Sequence, residues 1–136
     1  MSFLLTSESG VQTGWTHFAW PIVCRLAQDF GWQPHGTRPP ANWDPKLETI
    51  GEWDGRYTSN DGQLVTAQDA LALGRGLSAA LTSDQFEDRI RQLIGGVTGQ
   101  LHSPGFAVML DNELSEWRKS IEAFAAFCGK GGFRLR

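Results

Sequence analysis

Residues 66–81 read TAQDALALGRGLSAAL and carry a clear start signal for a helix. The hydroxyl of Thr66 and the carboxylate of Asp69, three positions later, match a capping box with Asp in the place of Glu. The apolar residues that follow recur at helical spacing, so the sequence predicts a helix from Thr66. Gly74 and Gly76 weaken this helix by about 1 kcal/mol each relative to Ala. We interpret both glycines as marks of a close approach between helices.

Three further stretches show helical periodicity and are bounded by typical start and stop residues. Pro21 fits the first turn of a helix, where its missing N–H costs nothing, and glycine is the usual residue just past a helix end. The predicted helices run from Trp20 to Phe30, from Ser83 or Asp84 to Ile94, and from Asp111, as the cap, to Cys128.

Short strands are predicted between and around these helices. The Asp61-Gly62 turn lies between Arg56–Thr58 and Gln63–Val65 and predicts a β-hairpin. The other predicted non-helical segments are an edge strand at Ser2–Thr6, a turn or loop at Ser7–Gly14, an extended or turn-like stretch at Trp15–Ala19, a loop at Thr98–Gly105, and strands at Phe106–Leu110 and Phe133–Arg136.

The pattern as a whole predicts a helix-dominated α+β fold, with about four helices, a short β-hairpin and short terminal strands. The chain has 136 residues, which fits a single globular domain over residues 1–136. Within it, residues 31–62 form a long loop that is rich in Pro and Trp. A loop of this length inside a compact domain is uncommon and is usually functional or poorly ordered.

The charge balance bears on the class of partner. The chain carries 12 Lys and Arg against 15 Asp and Glu. Nucleic-acid binders need a basic excess, because neutralisation of phosphates supplies most of their affinity, so we expect no nucleic-acid partner. No stretch approaches the ~20 apolar residues of a membrane span, and Met1–Leu5 lacks the basic region of a signal peptide. We therefore expect a cytoplasmic protein without a membrane partner.

The histidines and acidic turn residues do not form a metal-binding motif. His17, His35 and His102 lack the spacing of zinc ligands. If Gly62 is placed at position 6 of an EF-hand loop, Tyr57 falls at position 1 and Gln68 at position 12, where carboxylates are required. We expect no metal and no cofactor.

The cysteines do not indicate catalysis either. Cys24 and Cys128 fall on apolar helix faces, where free, buried and unreactive thiols are expected. No nucleophile elbow is present, and Gly129–Gly132 follows a helix, whereas a phosphate-binding loop precedes one. We predict no catalytic residue and favour a role other than that of an enzyme.

The tryptophans are the most unusual feature, since the chain has 6 of them. Those in the long loop either pack it onto the helices or anchor a partner, because Trp is enriched at binding hot spots. The candidate partner-binding residues combine these aromatics with neighbouring polar side chains. They are Trp32, His35, Trp43, Asp44, Glu48, Trp53, Asp54, Tyr57 and Asp61.

A set of short motifs in this region resembles that of small bacterial and phage proteins of uncharacterised function. The motifs are Gly31-Trp32, Pro34, Gly36-Thr37, Tyr57, Ser59–Gln63, Val65, Asp69-Ala70 and the closing Phe127-Cys128 with Gly131–Phe133. The resemblance covers residues 20–81 and the tail. It implies a bacterial or phage cytosolic setting and carries no activity.

Three functions fit these observations. The first is a small protein-binding module, of the immunity-protein, antitoxin or inhibitor type, whose acidic surface steers it onto a basic partner and blocks it. The second is a small-molecule binder or small enzyme in which the long loop lids a pocket, with His35 or His102 and carboxylates in convergent geometry. The third is a structural subunit of a phage or bacterial assembly.

Overall fold

The computed structural model describes residues 2–49, 51–98 and 104–136, and the side chains within them except those of 97–112. The helices of this part of the chain are α1 (Ala19–Asp29), α2 (Ala67–Thr82), α3 (Phe86–Thr98) and α4 (Pro104–Cys128). Helix α2 begins as predicted, because the hydroxyl of Thr66 accepts a hydrogen bond from the backbone N–H of Asp69 at 3.2 Å. None of these helices combines the length and hydropathy that crossing a bilayer requires.

The strands of the described residues form one antiparallel sheet. They are β1 (Ser2–Ser7), β2 (Gln12–Thr16), β3 (Leu64–Val65) and β4 (Phe133–Leu135), arranged in the order β2-β1-β4-β3. The sheet buries one face against the helices, whereas residues on the other face, such as Leu4, are more exposed. The predicted helix-dominated α+β fold is confirmed.

The first predicted strand exists, but its position in the sheet differs from the prediction. Strand β1 is internal, with β2 on one side and β4 on the other. Residues 12–14, predicted as part of a turn or loop, belong to β2. The stretch QTGWT has a single buried side chain, that of Trp15, so it shows no apolar alternation. Its partner strand, not its own pattern, makes it a strand.

The predicted hairpin between Arg56–Thr58 and Gln63–Val65 is wrong. Strand β3 pairs with β4 at the far end of the chain, and residues 56–58 form no strand. The side chain of Gln63 explains the difference. It is fully buried, and its amide nitrogen donates to the backbone carbonyl oxygen of Ser59 at 2.6 Å. The turn at residues 59–63 is therefore held by a side-chain hydrogen bond and not by backbone pairing between two strands.

Two helix boundaries also differ from the predictions. Helix α3 continues through Gly95 and Gly96 to Thr98, and the predicted strand at Phe106–Leu110 lies within α4, as does Asp111, which is therefore not a cap. A short apolar run does not distinguish a strand from a segment of a buried helix, which accounts for this error. Residues 99–103 of the predicted loop lie outside the described residues.

Helix α2 lies at the centre of the helical layer, and its glycines allow close packing. A Cβ atom added at Gly76 would lie 2.9 Å from the carbonyl oxygen of Ala27 in α1. One added at Gly74 would lie 3.0 Å from Cβ of Cys128 in α4. Neither Gly74 nor Gly76 can be replaced by alanine unless the neighbouring helix shifts. The predicted close approach between helices is confirmed on both sides of α2.

Candidate functional site: the long loop

The long loop runs beside strand β3 and is attached to it. Arg38 forms a two-way backbone bridge with Leu64, with its N–H donating at 2.8 Å and its carbonyl accepting at 3.0 Å. The N–H of Thr37 donates to the carbonyl oxygen of Gly55 at 3.0 Å, which ties the two arms of the loop together. The loop is therefore an ordered cover on the β3 edge of the sheet.

The carboxylate of Asp69 holds the inner part of the long loop. It is fully buried, and Oδ1 accepts hydrogen bonds from Nε1 of Trp32 at 3.0 Å and from the backbone N–H of His35 at 3.4 Å. Oδ2 accepts a short hydrogen bond from the hydroxyl of Tyr57. None of the ion pairs among the described residues involves Asp69. Its charge is instead offset by these donors and by the N-terminus of α2.

Three predicted contact residues belong to this network or adjoin it. Trp32 is only 3% exposed and belongs to the core. Tyr57 is half-buried, and its hydroxyl also accepts from the N–H of Gly36 at 2.9 Å. Burial and the hydrogen bond to Asp69 raise the pKa of Tyr57 well above its ordinary value. The side chain of His35 remains exposed.

The outer part of the long loop is built around a tryptophan–arginine cluster formed by Trp43, Trp53 and Arg56. The two rings meet edge to face with their centroids 4.8 Å apart, and the guanidinium of Arg56 lies 4.8 Å from the Trp53 ring and 5.9 Å from the Trp43 ring. Nε1 of Trp43 donates to the carbonyl oxygen of Gly51 at 2.9 Å. Nε1 of Trp53 donates to Thr37 at 3.1 Å. Both tryptophans are therefore part of the framework of the loop.

The predicted acidic residues surround this cluster, but they are not brought together as a catalytic pair. Arg56 forms ion pairs with Asp61 at 3.2 Å and with Asp54 at 3.8 Å. Asp44 accepts from the backbone N–H of Lys46 at 3.0 Å and thereby closes a turn. Glu48 is exposed. Three of the four carboxylates thus have a local structural partner, and Glu48 faces solvent.

A pocket of about 330 Å³ opens between α1 and the long loop. Trp20, Cys24 and Gln28 of α1 form one wall, and Trp32, Arg56 and Tyr57 form the other. Burial, with smaller effects of Cys128 and Asp69, raises the pKa of Cys24 far above its ordinary value. The thiol and the phenol that line this pocket therefore both keep their protons at neutral pH.

The remaining candidates for chemistry give no metal site. No group of three or more metal-binding side chains occurs in the part of the chain that the structure describes. His17 packs against Phe3 with ring centroids 4.6 Å apart, and His102 lies outside the described residues. Both thiols are free, and burial raises the pKa of Cys128 to about 12.

Sequence reasoning missed the residues that organise this region. Asp69 was expected only to cap α2, and nothing in its neighbourhood along the chain points to Trp32, which is 37 positions away. Gln63, Thr37 and Arg56 were missed for the same reason. Their partners lie elsewhere in the loop, and the buried amide of Gln63 has no distinguishing sequence pattern.

Comparisons of the chain with protein-family models, with curated proteins and with solved structures each found no match.

Proposed function

We propose that this chain is a small protein-binding module of the immunity-protein or inhibitor type, which holds a basic partner on the outer surface of residues 44–49 and 51–54. The observation that carries the proposal is Leu47, whose side chain is 81% exposed in the middle of a firmly attached loop. No other large apolar side chain among the described residues is as exposed. Ordered, exposed apolar groups with a polar rim are typical of protein contact sites.

The surroundings of Leu47 define the chemistry of the partner. Asp44, Glu48 and Glu52 lie close to it along the chain, and Lys46 is the one basic residue in this segment. Glu48 and Glu52 are exposed, so their charges are free to attract a basic surface. Electrostatic complementarity of this kind raises the association rate and selects the partner.

The attachment of the long loop supports the same role. The tryptophan–arginine cluster and the Asp69 network fix the backbone on both sides of Leu47 before any partner arrives. A contact surface that is ordered in advance loses less conformational entropy on binding. The predicted anchors Trp43 and Trp53 therefore act from behind the surface, and Leu47 with Glu48 and Glu52 forms its outer face.

The test is capture of partners from a lysate of the source cells, read by native mass spectrometry, with variants that change only the outer face. We expect a stoichiometric protein partner that is lost with Leu47→Asp and weakened by Glu48→Lys with Glu52→Lys. Leu71→Asp is the matched control, since Leu71 is 42% exposed on α2. Association should also slow as the salt concentration rises.

Three outcomes would contradict the proposal. A partner that binds the Leu47→Asp variant as well as the native chain would place the interface elsewhere. A chain that carries only a small-molecule mass would favour the pocket between α1 and the long loop, and with it the small-molecule alternative. Regular oligomers without a second protein would favour a structural subunit of an assembly.

A further inference from the structure

The outer edge of strand β2 presents backbone groups that no strand of the described residues pairs with. Leu4 exchanges two hydrogen bonds of 2.8 Å with Arg136, so its N–H and C=O point toward β4. In an antiparallel ladder these groups alternate in direction. Phe3 and Leu5 therefore face β2, opposite Trp15 and Thr13.

The same alternation fixes the outward groups of β2. Because Thr13 and Trp15 face β1, the N–H and C=O groups of Gln12, Gly14 and Thr16 point away from the sheet. Natural proteins protect such an edge with charged residues, prolines or a covering loop. Strand β3, at the opposite edge, is only two residues long and is covered at Arg38. Strand β2 has five residues, none of them charged or proline.

A groove of about 580 Å³ runs beside this edge, between β2 and α4. We call it the β2 groove. Its apolar lining includes Trp15, stacked on Trp117 with ring centroids 6.4 Å apart, and Ala19 and Ala123. The carboxylates of Glu113 and Glu116 belong to the α4 side. Lys119 pairs with Glu116 at 3.6 Å, but both side chains are 72% exposed, so the pair is weak.

The indole of Trp15, next to this edge, has an unpaired N–H group. The residue is only 9% exposed, and its Nε1 has no hydrogen-bond partner among the described residues. Buried donors normally have an acceptor. An unsatisfied donor is thus left beneath the β2 edge among the described residues.

We infer that the β2 edge binds an extended segment of another protein, which adds to the sheet as a new strand. Its backbone would pair with Gln12, Gly14 and Thr16, and main-chain pairing of this kind supplies affinity in strand addition. An apolar side chain would enter the β2 groove, and Lys or Arg residues two positions away, which point to the same face of the strand, would face Glu113 and Glu116. A second copy that pairs through its own β2 fits less well, since QTGWT offers no Lys or Arg to these carboxylates.

The probe is the synthetic peptide Thr-Lys-Thr-Phe-Thr-Lys-Thr, with blocked ends, added to the full chain; its Phe and both Lys side chains share one face of an extended strand. Two control peptides separate the contributions of charge and backbone. One replaces every Lys with Glu, and the other carries N-methyl groups on alternate backbone nitrogens. We expect the basic peptide to bind and to slow hydrogen exchange at the N–H groups of Gly14 and Thr16, and both controls to bind at least tenfold more weakly.

Two variants of the chain test the same surface. Gly14→Pro removes an outward N–H, which an edge strand tolerates, and should weaken binding about tenfold. Glu113→Gln with Glu116→Gln should weaken it about fivefold, while the matched control Glu122→Gln on α4 should leave it unchanged. The control carboxylate is exposed and lies outside the groove. The peptide measurements keep the test valid if the proline variant does not fold.

Several results would overturn this inference. Equal binding of the N-methylated peptide would exclude strand pairing, and equal binding of the acidic peptide would exclude the role of Glu113 and Glu116. Protection of Gly14 and Thr16 in the chain alone, rising with its concentration, would assign the edge to a second copy. Leu47→Asp should leave peptide binding unchanged, which separates this surface from that of the proposed function.

Discussion

A pair of tryptophans lies toward each edge of the sheet, and the two pairs differ in how their surroundings are completed. On the β3 side, Trp43 and Trp53 pack edge to face, and both indole N–H groups have backbone acceptors. On the β2 side, Trp15 stacks on Trp117, and Nε1 of Trp15 has no acceptor within the described residues. The comparison shows that a position in a loop or in a strand does not decide whether a tryptophan N–H finds an acceptor.

The largest expected effect tests the hydrogen-bond network of Asp69 on the β3 side. Asp69→Ala removes the acceptor of Trp32, His35 and Tyr57 and leaves buried donors without partners. We expect it to lower the free energy of unfolding by about 3–4 kcal/mol, as measured by urea denaturation. Hydrogen exchange should show the loss first in the long loop.

Asp69→Asn is the control for this prediction, because it keeps one acceptor oxygen and the volume of the side chain. It should cost roughly half as much as Asp69→Ala. A loss below about 1 kcal/mol for the alanine variant would mean that the network does not hold the loop, and the contrast between the two edges would lose its basis.

Arg56→Met tests the outer part of the same side. It keeps much of the side-chain volume but removes the contact with both tryptophan rings and the ion pairs with Asp54 and Asp61. We expect a loss of about 1.5–2 kcal/mol and a red shift of the tryptophan fluorescence. Arg25→Met is the matched control, since the Arg25 side chain is 63% exposed and pairs with Asp29 as its one ion-pair partner among the described residues. Equal effects of the two variants would contradict the prediction.

Exchanging Trp for Phe at both edges compares the two indoles directly. Trp53→Phe removes an N–H that has an acceptor, whereas Trp15→Phe removes one that has none. Both variants lose a similar apolar volume, so thermal unfolding should show Trp15→Phe to be less destabilising by about 1 kcal/mol. If Trp15→Phe is the more costly variant, the packing of Trp15 against Trp117 and Phe124 outweighs the hydrogen bond of Trp53.

The smallest effect tests the core between the edges. Burial raises the pKa of Cys128 from 9.0 to about 12, so above pH 9 the unfolded chain loses this proton and the folded chain keeps it. The folded state then binds more protons, and stability falls as pH rises between these values. By about pH 10, the free energy of unfolding should have fallen by about 1 kcal/mol less in Cys128→Ala than in the native chain. Parallel pH profiles of the two proteins would contradict a dry environment at this thiol.

The parts of the fold that could be predicted are those whose signal is local. The start of α2 follows from Thr66 and Asp69, which are three residues apart. Strand β2 could not be predicted, because its partner β1 makes it a strand and only Trp15 is buried within it. The same limit explains the failed hairpin at β3, whose true partner, Phe133–Leu135, is distant in sequence.

The candidate site divides in the same way. The sequence indicated the Pro- and Trp-rich loop and its acidic residues, because composition is visible without a fold. It did not separate Trp32, which is buried, from Trp43 and Trp53, which are half-buried, since burial depends on contacts across the molecule. Leu47 was missed because an exposed leucine has no pattern of its own, and its significance comes from the ordered backbone around it.

The position of β4 has a consequence for the co-translational folding of this chain. Strand β4 lies between β1 and β3 in the sheet. In a nascent chain, β1 of the β1–β2 hairpin therefore lacks its second neighbour until residues 133–135 emerge. At roughly 10 residues per second, that interval lasts on the order of ten seconds. During synthesis the β1–β2 hairpin thus exposes two unpaired edges, and the emergence of β4 closes only one of them.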